Sequence, residues 1–148
     1  MKTIKKKSER GNALLEFALG WSILWVLFAG IYQFGYSFYV YNTVLTSVTN
    51  AAELGSKMTY DTANTSQFST ALQNMVVYGN TTAGTSPIVP GLSTSDVSVN
   101  VNPQGSIPTD ITITINNFTI DAVFARFTFN GKPRATAVYM GQITCSTC

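Results

Sequence analysis

From Ala13 to Tyr32 the sequence reads ALLEFALGWSILWVLFAGIY, 20 residues whose apolar character is broken only by Glu16 and Ser22. At about 1.5 Å per residue, a helix of this length matches a hydrocarbon core roughly 30 Å thick, so a membrane span over residues 13–32 is the first expectation. Glu16 is the anomaly within it. A carboxylate in hydrocarbon costs a few kcal/mol on insertion scales, and such residues are retained for a partner or a function. Two readings are open: an acid kept for assembly with another subunit, or a first-turn acid near the headgroups favoured by the helix dipole.

Charge orients the span. Residues 1–11 hold Lys2, Lys5, Lys6, Lys7 and Arg10 against Glu9, a net of +4, whereas the remaining residues sum to −2. The positive-inside rule therefore places the N-terminus in the cytoplasm and everything after Tyr41 outside. Tyr32, Phe34, Tyr36, Phe38, Tyr39 and Tyr41 then fall where an outer aromatic belt is expected. The same pattern also fits a secretory signal peptide, for which Gly35-Tyr36-Ser37 supplies a small-x-small cleavage site. Beyond the leader, Lys57, Arg126, Lys132 and Arg134 are too few and too scattered for nucleic-acid binding.

The helix has no stop signal at the membrane surface. Tyr41, Val44, Leu45, Val48, Ala51, Ala52 and Gly55 recur at three- and four-residue intervals, with Thr43, Thr46, Ser47, Asn50 and Glu53 between them. One helix from Ala13 to Lys57 would run roughly 65 Å, about twice the membrane thickness, and its outer half needs an apolar cover. The second half of the chain supplies one. A short helix is expected over Ser66–Tyr78, with Thr65 or Ser66 as N-cap, Phe68, Leu72, Met75 and Val76 on one face, and Gly79 as stop. After a Thr/Ser/Gly/Pro loop, Val97, Val99 and Val101, and then Ile111, Ile113 and Ile115, alternate with polar residues as strands do. Asn116-Asn117 and Asn130-Gly131 read as hairpin positions, the apolar parity changes between Phe124 and Phe127 so that a bulge or break belongs there, and a last strand is expected over Arg134–Ile143. The fold class is α+β: a long N-terminal transmembrane helix continuing into a small outer domain with a short helix and a three- to four-stranded antiparallel sheet. The divisions are a leader over 1–11, the helix over 12–58 and an outer domain over 59–148.

Catalytic chemistry finds little support. The chain has no histidine, which excludes imidazole-based zinc sites, Ser-His-Asp triads and Cys-His dyads. No phosphate-binding glycine loop or nucleophile elbow is present. Asp96, Asp110 and Asp121 are isolated and read as strand-end or turn residues. No catalytic residue, metal site or cofactor is expected. Cys145 and Cys148 form a Cys-x-x-Cys in the last four residues. A disulfide between them is the expectation outside the cytoplasm, with redox chemistry or an intermolecular bridge as alternatives.

A basic leader ending in Gly11, then Asn12, then Glu16 as the fifth residue beyond the glycine, then Phe17 and a long apolar helix resembles the type IV pilin processing signature. More narrowly, Arg10–Met58 is similar to the TadE-like pseudopilins, minor pilins of tight-adherence (Flp-type) pili. The likeness rests on GNALLEF, the apolar helix, the Gly-aromatic segment Phe34-Gly35-Tyr36 and the small-residue stretch Ala51-Ala52-Glu53-Leu54-Gly55. Beyond it, the outer part follows only the loose plan of strands ending in a small-residue strand such as Ala135-Thr136-Ala137-Val138. The chain is longer than the major pilins of that system, which points to a minor pilin.

The resemblance implies a prepilin peptidase cutting between Gly11 and Asn12, and a filament in which Glu16 meets the new amine of a neighbour. Other implied partners are pilin and minor pilin subunits, assembly-platform proteins in the membrane, and membrane lipid. The location would be the bacterial inner membrane, single-pass, and the role surface attachment and biofilm formation. A secreted or anchored adhesin-like domain released near Ser37 is the alternative.

Overall fold

The computed structural model describes residues 9–104, 107–121, 126–141 and 143–144. One helix, α1, runs unbroken over Glu9–Lys57. At about 1.5 Å per residue its 49 residues extend over roughly 70 Å. It starts earlier than the sequence suggests, because Gly11 alone does not stop a helix with no proline near it.

The outer domain covers one face of the upper half of α1. Val40, Val44, Val48, Ala51 and Ala52 are buried there. Tyr41 and Leu45, expected on the same stripe, are only half-buried at its margin. Ser47, expected on the polar side, is buried instead. It is small, and its Oγ donates to the Thr43 carbonyl at 3.0 Å, so its polar atom does not need water.

After β1 (Tyr60–Asp61) the chain enters α2 (Thr65–Tyr78). Asn64 occupies the N-cap position, in place of the expected Thr65 or Ser66, and makes no side-chain cap bond. Asp61 organises this entry: its carboxylate accepts from Ala63 N at 2.8 Å and from Asn64 Nδ2 at 3.1 Å. Gly79 ends α2 in the left-handed conformation (φ 72°), donating its N–H to the Met75 carbonyl as the glycine stop requires. Phe68, Leu72, Val76 and Val77 are buried, while Met75 is half-buried.

A 3₁₀ turn over Thr94–Asp96 leads into β2 (Val97–Gln104) and β3 (Ile107–Ile115). These pair antiparallel with Val97 opposite Ile115 and Val99 opposite Ile113. Next come β4 (Phe118–Asp121), β5 (Arg126–Phe129), β6 (Arg134–Val138) and β7 (Ile143–Thr144). The principal sheet has the order β2-β3-β6, and its inner face carries the fully buried Ile111, Ile113 and Ile115. Helices α1 and α2 lie on that face, with β6 and β3 against α1 and β2 against α2. This is a two-layer α+β domain whose core lies between sheet and helices.

The strands are arranged differently from a single meander. Asn116-Asn117 and Asn130-Gly131 are not hairpin tips. They form one corner, where the ribbon of β3 and β6 bends into the ribbon of β4 and β5. Asn117 N donates to Asn130 Oδ1 at 3.1 Å and Gly131 N to Asn116 Oδ1 at 3.2 Å, so each asparagine caps the opposite strand. Asn117 and Gly131 both have positive φ, 59° and 73°, conformations that asparagine and glycine tolerate best. Thr114 pairs with Arg134 and Phe118 with Phe129, which leaves one extra residue on the returning strand, so the ribbon carries a bulge at this corner. The bulge expected between Phe124 and Phe127 falls largely on 122–125, outside the described residues. The expected last strand is also divided: β6 stops at Val138, and β7 pairs in parallel with β1.

Candidate functional site

The sequence-derived site residues Gly11, Asn12, Glu16 and Phe17 all lie in the first turns of α1 and all are exposed. Helical spacing sets Asn12 and Glu16 one turn apart on the same face. Phe17, on the adjoining face, stacks on Trp21 with ring centroids 6.0 Å apart. Ser22 and Glu16 are the two polar residues of the apolar run, and their situations differ. Ser22 Oγ donates to the Ala18 carbonyl at 2.8 Å, which hides the hydroxyl within the helix. Glu16 has no hydrogen-bond or ion-pair partner among the described residues. Its carboxylate is therefore the polar group of the run that the fold leaves to its surroundings.

Gly11 raises the complementary question. A Cβ placed there meets nothing within 4 Å, and the same is true at Gly20, Gly30 and Gly35. Glycine inside a helix costs about 1 kcal/mol relative to alanine, so no packing among the described residues explains these four positions. At Gly55, by contrast, an added Cβ would lie 2.9 Å from Leu72 Cδ1 and 3.3 Å from Ile111 Cδ1. That glycine is explained by the fold.

Among the described residues, α1 is the helix long and apolar enough to cross a membrane, and the outer domain buries none of its most apolar window. Leu14, Leu15, Leu19, Ile23, Trp25, Val26, Leu27 and Phe28 are all exposed. By length and composition, α1 is thus suited to anchor the chain in a membrane as a single-pass protein.

The three isolated aspartates have structural partners. Asp96 Oδ2 accepts from Ser93 N at 2.9 Å in a capping box, Asp110 Oδ2 accepts from Asn102 Nδ2 at 2.8 Å, and Asp121 pairs with Arg126 at 2.6 Å on the surface. Among the described residues no three acids or cysteines come together. Cys145 and Cys148 lie outside the described residues.

Sequence reasoning missed Tyr139. Its hydroxyl donates to the Met58 carbonyl at 2.8 Å and accepts from Tyr60 N at 3.0 Å, which fastens the end of α1 to β1 and to the chain after β6. Burial pushes this phenol above its ordinary pKa, and the hydrogen bond from Tyr60 works against that shift. Gly141 completes the fastening. A Cβ there would fall onto the Met58 carbonyl oxygen and within 2.7 Å of the Tyr139 hydroxyl. No local pattern announces this contact, since its partners are some eighty positions apart.

Neither a curated protein nor a solved structure matches the chain significantly. Residues 11–53, which take in the exposed half of α1 and most of its buried half, match the family model described as TadE-like protein, so over α1 this chain is similar to the TadE-like family.

Proposed function

We propose that the chain is a minor pilin, or pseudopilin, of a tight-adherence pilus, cut after Gly11 by a prepilin peptidase and inserted through α1 into a filament base or filament. The TadE-like match supports involvement in that pilus system, and the family is a structural rather than enzymatic one. One observation carries the finer reading: Glu16 stands in an exposed apolar helix with no partner among the described residues, five positions beyond a glycine that packing among the described residues does not require. Cleavage would leave residues 12–148 with a new amine at Asn12. In a helix bundle, Glu16 of one subunit can take that amine as its counter-charge, which removes the cost of an unpaired acid in lipid and sets register between subunits. The bare helix at Ala13, Ala18, Gly20, Ala29 and Gly30 lets neighbouring helices approach closely. The basic leader holds the N-terminus in the cytoplasm of a bacterium and the outer domain beyond its inner membrane. Phe17 extends the apolar contact beside Glu16, and Cys145 and Cys148, in that oxidising space, form the terminal disulfide.

The test is the intact mass and N-terminal sequence of the protein from membranes of cells that also express the prepilin peptidase of the system. The expected start is Asn12. A start at Phe38 would replace the pilin reading by that of a secreted binding domain released after Ser37, and a start at Met1 would reduce the chain to a simple anchor. Glu16→Ala is expected to leave insertion unchanged and to remove the protein from sheared pili, because losing one member of a buried pair costs about 3–5 kcal/mol. Incorporation at the wild-type level would refute the pairing.

A further inference from the structure

We infer that the lower part of the β4–β5 ribbon, at Asp121, Arg126 and Phe127, is a membrane-resting surface, in which Arg126 and Phe127 engage the headgroup layer of the bilayer that α1 crosses. The inference rests on the reading of residues 13–32 as the span. The ribbon runs down α1 toward the membrane. Phe129, at its upper end, packs against Tyr41 with centroids 5.6 Å apart and the rings tilted by 39°, and β4 from Phe118 down to Asp121 lines a cavity of about 290 Å³ together with Tyr36 and Val40. Tyr36 is four residues above Tyr32, about 6 Å along the helix. The polar layer outside the hydrocarbon core is itself about 5–7 Å deep on each side, so the level of Tyr36 lies within it.

Gln33 supports this placement independently. Its neighbours Tyr32 and Phe34 are 64% and 63% exposed, yet Gln33 itself is only 5% exposed. The helix cannot bury its own surface side chain so completely, so the outer domain still covers α1 a turn below Tyr36. The domain therefore does not stand clear of the bilayer on a bare stalk.

The chemistry at that level suits lipid. On the inner face of the ribbon, Ile120 pairs with Phe127, a residue that remains 37% exposed. On the outer face, Asp121 pairs with Arg126, and both side chains are largely in solvent. An aromatic edge beside a solvent-exposed guanidinium is the combination that the interfacial zone favours, the ring among the upper methylenes and the guanidinium, whose Nε holds Asp121, turning its remaining N–H groups to lipid phosphate. Tyr36 adds a second interfacial ring on the helix.

The experiment uses the full chain in nanodiscs of phosphatidylcholine and phosphatidylglycerol, with a fraction of the lipids carrying a paramagnetic chelate on the headgroup. Amide signals are compared with those in unlabelled discs. The expected result is signal loss for Thr119–Asp121 and Arg126–Thr128 at least as strong as for Ser37–Tyr39, with Thr112 and Thr136 on the outer sheet face spared. In the double variant Arg126→Glu with Phe127→Ser, the loss on the ribbon should fall while that at Ser37–Tyr39 persists. If the ribbon amides lose no more signal than Thr112 and Thr136 while Ala18–Val26 are shielded from a water-soluble quencher, the resting surface is refuted and the anchor stands. If Ala18–Val26 are open to that quencher, the anchor itself is refuted. Loss on the ribbon only when several copies share a disc would assign the surface to a second subunit and overturn the lipid contact.

Discussion

The two halves of α1 are one uninterrupted helix in opposite circumstances. Below Tyr32 its large apolar side chains are exposed around the whole circumference, and its glycines face open space. Above Val40 a single stripe is buried, while Asn42, Thr46, Thr49, Asn50 and Glu53 remain in solvent. A helix that is apolar all round is made for lipid or for other helices, and one with a stripe is made for a domain core. The upper half is thus completed within the chain, and the lower half is left to its surroundings, which under the proposed function are lipid and other subunits. Mutations should divide along the same line: those above report on stability of the outer domain, and those below report on assembly.

The strongest way to break this division is a charge in the buried stripe. Val48 is fully buried, and Val48→Asp places an unpaired carboxylate between α1 and the sheet, with an expected loss of several kcal/mol and an unfolded outer domain. Denaturant titration in micelles, followed by near-ultraviolet circular dichroism, measures it. Glu16→Ala, measured in the same way, should leave the midpoint unmoved. Equal effects would show that the two halves fold as one unit.

A smaller effect is expected where α1 touches α2. Leu72→Ala removes a fully buried side chain and should cost about 2–5 kcal/mol. Gly55→Ala pushes a methyl against Leu72 and Ile111 and should cost about 1–3 kcal/mol. Because the space vacated by Leu72 is the space the new methyl needs, the double variant should lose less than the sum of the two. Strict additivity would mean that the helices separate rather than repack.

The same division explains what could be read in the sequence. A 20-residue apolar run, a three-and-four stripe and alternating valines and isoleucines are local periodicities, so α1, α2 and the β2–β3 pair are visible without coordinates. The corner at Asn116, Asn117, Asn130 and Gly131 is not. Asn-Gly is permissive of positive φ, and this serves a bend between two ribbons as readily as a hairpin tip. Only pairing between distant strands decides which of the two occurs. The Tyr139 contact and the burial of Gln33 are likewise products of tertiary packing. Of the candidate site, the unusual residues Gly11 and Glu16 were legible because each contradicts its local surroundings, and a residue that conflicts with its local setting is where function is to be sought.

Tyr139 gives the next smaller effect. Tyr139→Phe leaves the ring in place and strips the Met58 carbonyl and the Tyr60 N–H of their shared partner, an expected loss of about 1–2 kcal/mol. The sign of its pH dependence follows from the raised pKa. The neutral phenol is favoured in the folded state, so the contribution is fully present below the ordinary value of 10.0 and is lost as pH rises through the higher folded value. Wild type should therefore weaken at alkaline pH relative to Tyr139→Phe, and curves that stay parallel would remove the hydroxyl from the account.

The smallest effect belongs to the last turn of the upper half, where Lys57 Nζ lies 2.7 Å from Glu53 Oε1 and both side chains are well exposed. The hydrogen bond from Lys57, and then its charge, hold the Glu53 carboxyl below its ordinary value of 4.5. A depressed carboxylate pKa contributes stability that is present above the ordinary value and is lost as pH falls through the folded one. Both groups keep their water, however, and salt screens them, so Glu53→Gln should leave the denaturation midpoint within experimental scatter across roughly pH 3–6. A shift as large as that of Tyr139→Phe would mean that the outer end of α1 is held by charge. The prediction that it is held by the buried stripe and the Tyr139 hydroxyl would then fail at the place where the helix leaves its own core.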